Sequence, residues 1–229
     1  MSNQAGAEDR RRAVTIAIPT LNEEEAIGPL LEEIKGFGYN DILVVDGHSS
    51  DKTTDIARSH GAAVLEQGGR GKAGALLTAF ENVKTKVCIV MDGDGTYDPG
   101  DLDKFLAFVG KSELAKGERA KNENMSHIRR IGNSVITWQF NRLFGTNLRD
   151  VCSGMYMMDM ALFKTIRLET HPMAAEQEIA AQAVRSGMRI ATVPIGYRKR
   201  GGGRSKTHTW RQGLTDLWTN VELRSKYRM

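Results

Sequence analysis

A chain of 229 residues, 40% hydrophobic and 26% charged, has enough apolar side chains for one globular domain over 1–229, and no apolar run long enough to cross a bilayer. Two cysteines, Cys88 and Cys152, give no disulfide framework and point to a reducing, cytoplasmic setting, while MSNQAGAEDRRR has no apolar segment behind its charges and reads as a disordered leader (1–12), not a secretory signal. The net charge of +4 hides a division, because residues 185–229 hold 11 Lys and Arg against 2 acidic residues, leaving 21 basic against 26 acidic in residues 1–184. A basic tail of this kind is either a solvated face or a surface that attracts phosphate, nucleic acid or anionic lipid.

The first apolar run, AVTIAI at 13–18, is rich in β-branched residues and stops at Pro19, which predicts a buried strand ending in a turn. A helix is expected over 23–35. DILVV at 41–45 repeats the strand pattern up to Asp46, and SSDKTTDIARSH offers capping residues for the next helix. AAVLE at 62–66 is a third strand, QGGRGKAG leads into a helix over 73–83, and VCIVM at 87–91 is a fourth strand. This alternation predicts an α/β fold with a mostly parallel sheet and helices on both faces, so the strands are apolar throughout. Beyond residue 110 the alternation weakens. SHIRRIGNSVITWQFNRLF at 126–144 reads as a helix with Ile128, Ile131, Val135 and Trp138 on one stripe; Arg130, Ser134, Thr137 and Asn141 lie on a polar side available to a bound anion. A helix over 174–186, the strand RIATVPI, a basic loop KRGGGRSK and a helix over 208–226 follow, and there are no internal repeats.

In such sheets the ligand crevice lies beyond the carboxyl ends of the strands, which collects Asn22, Glu23, Asp46, Asp92 and Asp94. Two aspartates separated by one glycine repel each other unless a cation sits between them. Mg²⁺ or Mn²⁺ takes oxygen ligands and completes its shell with substrate phosphates, so the pair implies a phosphorylated ligand. Gly93 and Gly95 leave room for close approach. DGDG is also ordinary turn chemistry, but its place directly after a buried strand favours the site. QGGRGKAG is not a P-loop, since Glu66 stands where the first glycine belongs and Ala73 where the hydroxyl belongs. It supplies either a diphosphate contact through Lys72 and glycine amides or a plain loop before a helix. No GxGxxG follows the first strand, which removes the support for a dinucleotide-binding dehydrogenase.

Taken in order, IPTLNEEEAI, VVDGHSSDKT, GKAGAL, MDGDGTYDP, GERA, RRIGNS, RDVCSG and VPIGYRKRGGGRSK resemble glycosyltransferase family 2, and within it the polyprenyl-phosphate (dolichol-phosphate) mannosyltransferase group. The resemblance spans residues 14–206 and implies a GT-A fold, a nucleotide-sugar donor and inversion at the anomeric carbon. By position it puts Pro19, Leu21, Glu23 and Val45 at the nucleobase, with Asp46, Lys72 and Gly93 on the donor side. Asp92 and Asp94 of the DXD motif hold the metal, with Thr96 at a third metal-side position that is often glutamine. Leu21 replaces a frequent tyrosine and Gly47 a usual second aspartate, so the choice between GDP and UDP stays open. Arg119, Arg130 and Ser134 match positions around the sugar and the lipid phosphate, Arg129 being the alternative to Arg130. Arg200 and Lys206 match a loop that closes on the site. Arginine suits these roles because its planar fork holds two phosphate oxygens through charge-assisted bonds.

The activity so implied is metal-dependent transfer of mannose or glucose from a GDP- or UDP-hexose to polyprenyl or dolichyl phosphate. Glu176 and Glu178 lie where relatives with hydroxyl acceptors place a base, and equally where a helix start favours carboxylates. The rival readings are a soluble family 2 transferase acting on a small-molecule or saccharide hydroxyl, a nucleic-acid-binding module using the basic tail, and a silent regulatory subunit. Nucleic-acid binding is not expected, since it leaves the acidic strand ends unexplained. Trp210, Leu214, Leu217, Trp218 and Val221 form a stripe on the last helix. That stripe either lies in the headgroup region of a membrane, making the protein peripheral on the cytoplasmic face, or packs on the core or a partner.

Overall fold

The computed structural model describes residues 2–119, 124–163, 165–169, 174–202 and 209–227. Its order is α1 (Ser2–Arg12), β1 (Val14–Thr20), α2 (Ile27–Gly36), β2 (Ile42–Asp46), α3 (Thr53–Ser59), β3 (Ala63–Glu66), α4 (Gly71–Asn82) and β4 (Val87–Val90). A 3₁₀ turn (Pro99–Asp101) and α5 (Leu102–Leu106) lead to β5 (Leu114–Arg119), α6 (His127–Phe144), β6 (Tyr156–Asp159), α7 (Met160–Phe163), α8 (Ala175–Arg185), β7 (Ile190–Ile195) and α9 (Thr209–Lys226).

The strands form one sheet in the order β3-β2-β1-β4-β6-β5-β7. All neighbours are parallel except β6, which runs antiparallel to both β4 and β5. The expected α/β architecture with a mostly parallel sheet is present, and its two faces show why the central strands are apolar at every position. Ile16 and Ile18 point into a layer with Ile27, Leu31 and Ile34 of α2. Ala17, Val45 and Val90 point the other way, against Leu76 and Phe80 of α4 and Ile179 of α8. A third cluster, built on Ile136, Phe140, Phe144, Ala181 and Leu223, binds α6, α8 and α9 together.

Four expectations are corrected. Residues 2–12 form α1 rather than a disordered leader: Arg11 pairs with Asp103 through two nitrogens and lies over the Tyr39 ring, which ties the helix to the body. The helix expected from residue 23 starts at Ile27, because residues 21–24 are knitted to the loop after β2. The strands β5 and β6 fall where no strand was expected. On α6 the side read as polar and available to an anion is in part the buried one, its inner face being Ile136, Thr137, Phe140 and Phe144, while the stripe of Ile128, Ile131, Val135 and Trp138 is exposed. Phe140 and Phe144 stack with centroids 4.5 Å apart. Both faces carry apolar residues at helical spacing, and the third cluster selects the one with the aromatic pair. Likewise on α9, Leu214, Trp218 and Val221 are exposed while Leu223 is buried.

The two faces of α6 make a paired test. Phe140→Ala should lower unfolding free energy by about 3–5 kcal/mol, whereas Trp138→Ala should change it by no more than about 0.5 kcal/mol. Denaturant midpoints of the two variants measure the contrast.

Candidate active site

The loops after β1 and β2 interlock. Asn22 N–H donates to Ser49 Oγ at 2.8 Å, Ser50 N–H to Asn22 Oδ1 at 2.7 Å, and Glu23 N–H to Thr53 Oγ1 at 2.8 Å. The reciprocal bond of Lys52 N–H to Glu24 Oε2 is 3.1 Å long. The Ser, Thr and Asp residues read as caps for α3 thus serve largely to brace one strand-end loop against another, and α3 itself has no side-chain cap. Asp46 is buried and spent on this brace, accepting from Ser49 N–H at 2.8 Å and Ser49 Oγ at 2.5 Å. Val45 is wholly buried in the core, so it offers no surface to a nucleobase, whereas Leu21 is exposed and Pro19 half-buried at the rim.

The loop after β4 carries the acidic pair. Asp92 pairs with Lys72, and Lys72 also reaches Glu176 Oε1 at 2.6 Å. Asp94 Oδ2 accepts from Arg200 Nη1 at 2.8 Å, and Arg200 pairs in turn with Glu23. Thr96 donates to Asp94 Oδ1 through its N–H at 3.1 Å and its hydroxyl at 2.6 Å, so it orients that carboxylate. Gly93 lies against β1, where a Cβ would come within 2.6 Å of Thr20 Cγ2. Gly154, in the turn before β6, abuts the pair itself: a Cβ there would come within 2.8 Å of Lys72 Nζ. Lys72 is thrown into the cleft from the first turn of α4, after Gly71 at φ +61°. Although burial pulls it down, the charges of Asp92 and Glu176 hold the Lys72 ammonium well above its usual pKa.

These carboxylates fit a hard divalent cation. Each already needs a positive partner, the donors are all oxygen, and the cations now paired with them would be released toward an incoming diphosphate. Among the described residues there is no cluster of three or more His, Cys, Asp or Glu that could hold a metal alone, so the remaining ligands would come from the substrate.

A second charged layer lies deeper, on β5. Arg119 is buried and forks onto Asp150, Nε to Oδ2 at 2.6 Å and Nη2 to Oδ1 at 2.9 Å, with Tyr197 over its guanidinium at 5.6 Å. Lys116, fully buried, donates to Ser153 O at 3.0 Å and lies 5.0 Å from the Tyr156 ring centre. From the other side Tyr97 Oη accepts from Gly154 N–H at 2.8 Å, so the Ser153–Gly154 turn that walls Asp92 is clamped from two directions. Lys116, Tyr97 and Asp150 were not singled out from the sequence; a lysine inside the apolar start of LAKGER was the available signal.

Beside this layer a groove of about 440 Å³ runs between α6 and α9, lined by Arg119, Arg129, Cys152, Tyr197 and Asp216 among others. Burial pushes the Asp216 carboxyl up to about 6. Of the two arginine alternatives it is Arg129 that lines this groove. Arg130 and Ser134 line a separate shallow hollow with Ile131, Val135 and Trp138, and Ser134 Oγ donates back to Arg130 O at 2.9 Å. Glu178 is turned away, accepting from Tyr227 Oη at 2.9 Å and Glu169 N–H at 3.0 Å. Lys206 lies outside the described residues.

A sheet with one reversed strand, an aspartate pair beyond its central strand and basic side chains closing on that pair define a GT-A glycosyltransferase. Residues 15–167 match Glycosyl transferase family 2, and the chain belongs to that family. It is similar to the glycosyltransferase AglJ of Haloferax volcanii, 31% identical over 83% of this chain, and spans 65% of that protein's length. It is 32% identical to the dolichyl-phosphate hexose transferase of the same organism, over 82% of this chain and 84% of that one. In fold it resembles glucosyl-3-phosphoglycerate synthase of Mycobacterium tuberculosis, solved with Mn²⁺, UDP-glucose and phosphoglyceric acid, with a TM-score of 0.77, 18% identity, and coverage of 97% of this chain and 83% of that one.

Burial lowers the Lys116 ammonium to about 8 from its usual 10.5, against the raising influence of Glu176 and Asp150. The unfolded chain therefore binds the extra proton between those two values, and stability should rise with pH across that window, the burial penalty being fully present below about pH 8. Lys116→Met should remove this rise, and denaturant midpoints at several pH values for both proteins measure it.

Proposed function

We propose that the protein transfers a hexose, mannose or glucose, from a nucleoside diphosphate sugar to a polyprenyl or dolichyl phosphate, with inversion at the sugar C1. The observation that carries this reading is the double pairing of Asp92 with Lys72 and Asp94 with Arg200 beside a groove lined by Arg119 and Arg129. One set of charges suits a diphosphate and the other a phosphate. The similarity to the dolichyl-phosphate hexose transferase supports the acceptor class.

In this reading Asp92 and Asp94 hold Mg²⁺ or Mn²⁺, which supplies Lewis-acid neutralisation of the departing diphosphate. Lys72 and Arg200, freed from the carboxylates, bind diphosphate oxygens. Arg119, fixed in direction by Asp150, and Arg129 hold the acceptor phosphate in line with C1. The phosphate is already ionised near neutral pH, its second pKa being about 6, so it needs no strong base. Its oxygen forms the new bond to C1 as the bond from C1 to the diphosphate oxygen breaks, and the nucleoside diphosphate carries away the electron pair. Glu176, tied to Lys72, then acts by keeping that lysine charged and aimed.

Asp216 favours a second reading. A groove carboxyl with a pKa of about 6 is suited to take a proton from a hydroxyl acceptor.

With Mn²⁺ and a labelled GDP- or UDP-hexose, product should form on polyprenyl phosphate and not on saccharide hydroxyls. Asp94→Asn should cut turnover by about 10²-fold or more with an unchanged unfolding midpoint. Product on hydroxyl acceptors alone would install the second reading, and full turnover in chelator would overturn the metal role.

A further inference from the structure

Two tyrosines stand where the aspartate pair and the groove meet. Tyr97 follows Asp92 and Asp94 on the loop after β4, and Tyr197 follows β7 at the root of the loop that carries Arg200. The two loops are joined along the backbone: Tyr97 and Tyr197 form an antiparallel bridge, Arg198 N–H donates to Thr96 O at 2.7 Å, and Gly201 N–H donates to Asp94 O at 3.1 Å. The root itself is pinned. Arg198 pairs with Glu33 and Asp98, each at 2.7 Å, and Gly196 N–H donates to Asp101 Oδ2 at 2.6 Å. The side chains continue the connection. The Tyr197 ring meets the Tyr97 ring edge to face, with centroids 5.8 Å apart and planes at 78°, and the Arg119 guanidinium lies over the Tyr197 ring, 5.6 Å from its centre. Buried Tyr97 carries the contact onward through its Oη, which accepts from the N–H of Gly154, the residue that abuts Asp92.

We propose that Tyr197, acting with Tyr97, is a positioning residue that sets the distance and angle between Arg119 in the groove and the carboxylates of Asp92 and Asp94. The Asp150 fork sets the in-plane direction of the Arg119 guanidinium, and the Tyr197 ring limits how far that group swings toward the loop. Arg119 is carried by β5 and the aspartate pair by the loop after β4, and these strands are not neighbours, because β6 lies between them. The sheet alone therefore gives the two half-sites no direct bond. The tyrosine pair supplies one: the Tyr197 backbone is tied to the Asp94 loop, and the Tyr97 phenol to the turn beside Asp92. In-line transfer needs this registration, since a misplacement of about 1 Å between reacting groups costs about 10²-fold in rate. The assignment rests on the acceptor reading in one respect, that Arg119 holds the group that attacks C1.

The test is steady-state kinetics of the full chain with Mn²⁺, a GDP- or UDP-hexose and farnesyl phosphate, alongside calorimetric titration with Mn²⁺ and nucleotide. Tyr197→Leu should lower kcat by about 10²-fold while both KM values and the nucleotide affinity stay within about threefold of the parent. Tyr197→Phe, which keeps the ring, should hold kcat within about threefold of the parent. Tyr97→Phe should lower kcat by about tenfold in the same pattern, and combining it with Tyr197→Leu should cost no more than Tyr197→Leu alone, because the two rings act as one unit. A loss confined to the acceptor KM would make Tyr197 an ordinary binding contact, and losses that multiply in the double variant would make the tyrosines independent; either result overturns the proposal. Should Tyr197→Leu fail to fold, Tyr97→Phe decides alone, an unchanged kcat overturning it. Parent-chain transfer to saccharide hydroxyls and not to farnesyl phosphate would sink the acceptor reading alone, and the same comparison of kcat with KM is then read on the saccharide.

Discussion

Two carboxylates one residue apart in a half-buried cleft repel each other unless positive charge sits beside them. Asp92 and Asp94 meet this condition through Lys72 and Arg200, which arrive from opposite directions: the start of α4 and the loop after β7. Much of the surrounding architecture serves that convergence. β1 and β4 are adjacent in the sheet, so Glu23 and the aspartate pair leave it side by side, and Arg200 bridges them. The loop before α4 folds so closely on the helix that a Cβ on Gly74 would lie 2.6 Å from the Gly69 carbonyl carbon, which fixes where Lys72 emerges. Glu176 at the start of α8 supplies the second counter-charge that lets a largely buried lysine remain protonated.

The reversed strand β6 and its neighbour β5 add a different kind of element. They carry Lys116, Arg119 and the chain leading from Asp150 to Gly154, so their charges are buried and must be satisfied inside the protein. A bidentate Arg119–Asp150 pair loses little flexibility when a phosphate arrives, and removing either partner would leave an uncompensated charge indoors. In the proposed reading the donor half of the cleft therefore rests on exchangeable pairs, and the groove half on a fixed one.

The sequence was most informative where local pattern and tertiary role agree. Strands β1, β2, β3 and β4 each show a short apolar run ending in polar residues, because a strand covered on both faces has no reason to alternate. The place of Asp92 and Asp94 just beyond β4 was legible for the same reason. Strand β5 was illegible because Lys116, Glu118 and Arg119 break the apolar run, and their partners Ser153 and Asp150 are remote in sequence. Periodicity grouped Ile128, Ile131, Val135 and Trp138 on one face of α6 correctly but carried no direction for it: spacing says which side chains share a face, while the packed neighbour decides which face is inside. Thr137 and Asn141, taken for a polar side facing an anion, instead serve the fold. Thr137 Oγ1 accepts from Val151 N–H at 3.2 Å, and Asn141 Nδ2 donates to Leu148 O at 2.8 Å. That Arg129 and not Arg130 lines the main groove could not be read from spacing, since a one-residue step on a helix turns a side chain by about 100°.

The central claim is that Lys72 and Arg200 hold the places of a metal and a diphosphate that bind together. Calorimetric titration of the protein with Mn²⁺ alone, with GDP or UDP alone, and with each nucleotide in the presence of Mn²⁺ tests it directly. The account predicts weak binding of the ion alone and mutual strengthening of ion and nucleotide by the same factor in either order of addition. Mn²⁺ that binds tightly by itself, with nucleotide affinity indifferent to it, would contradict the account.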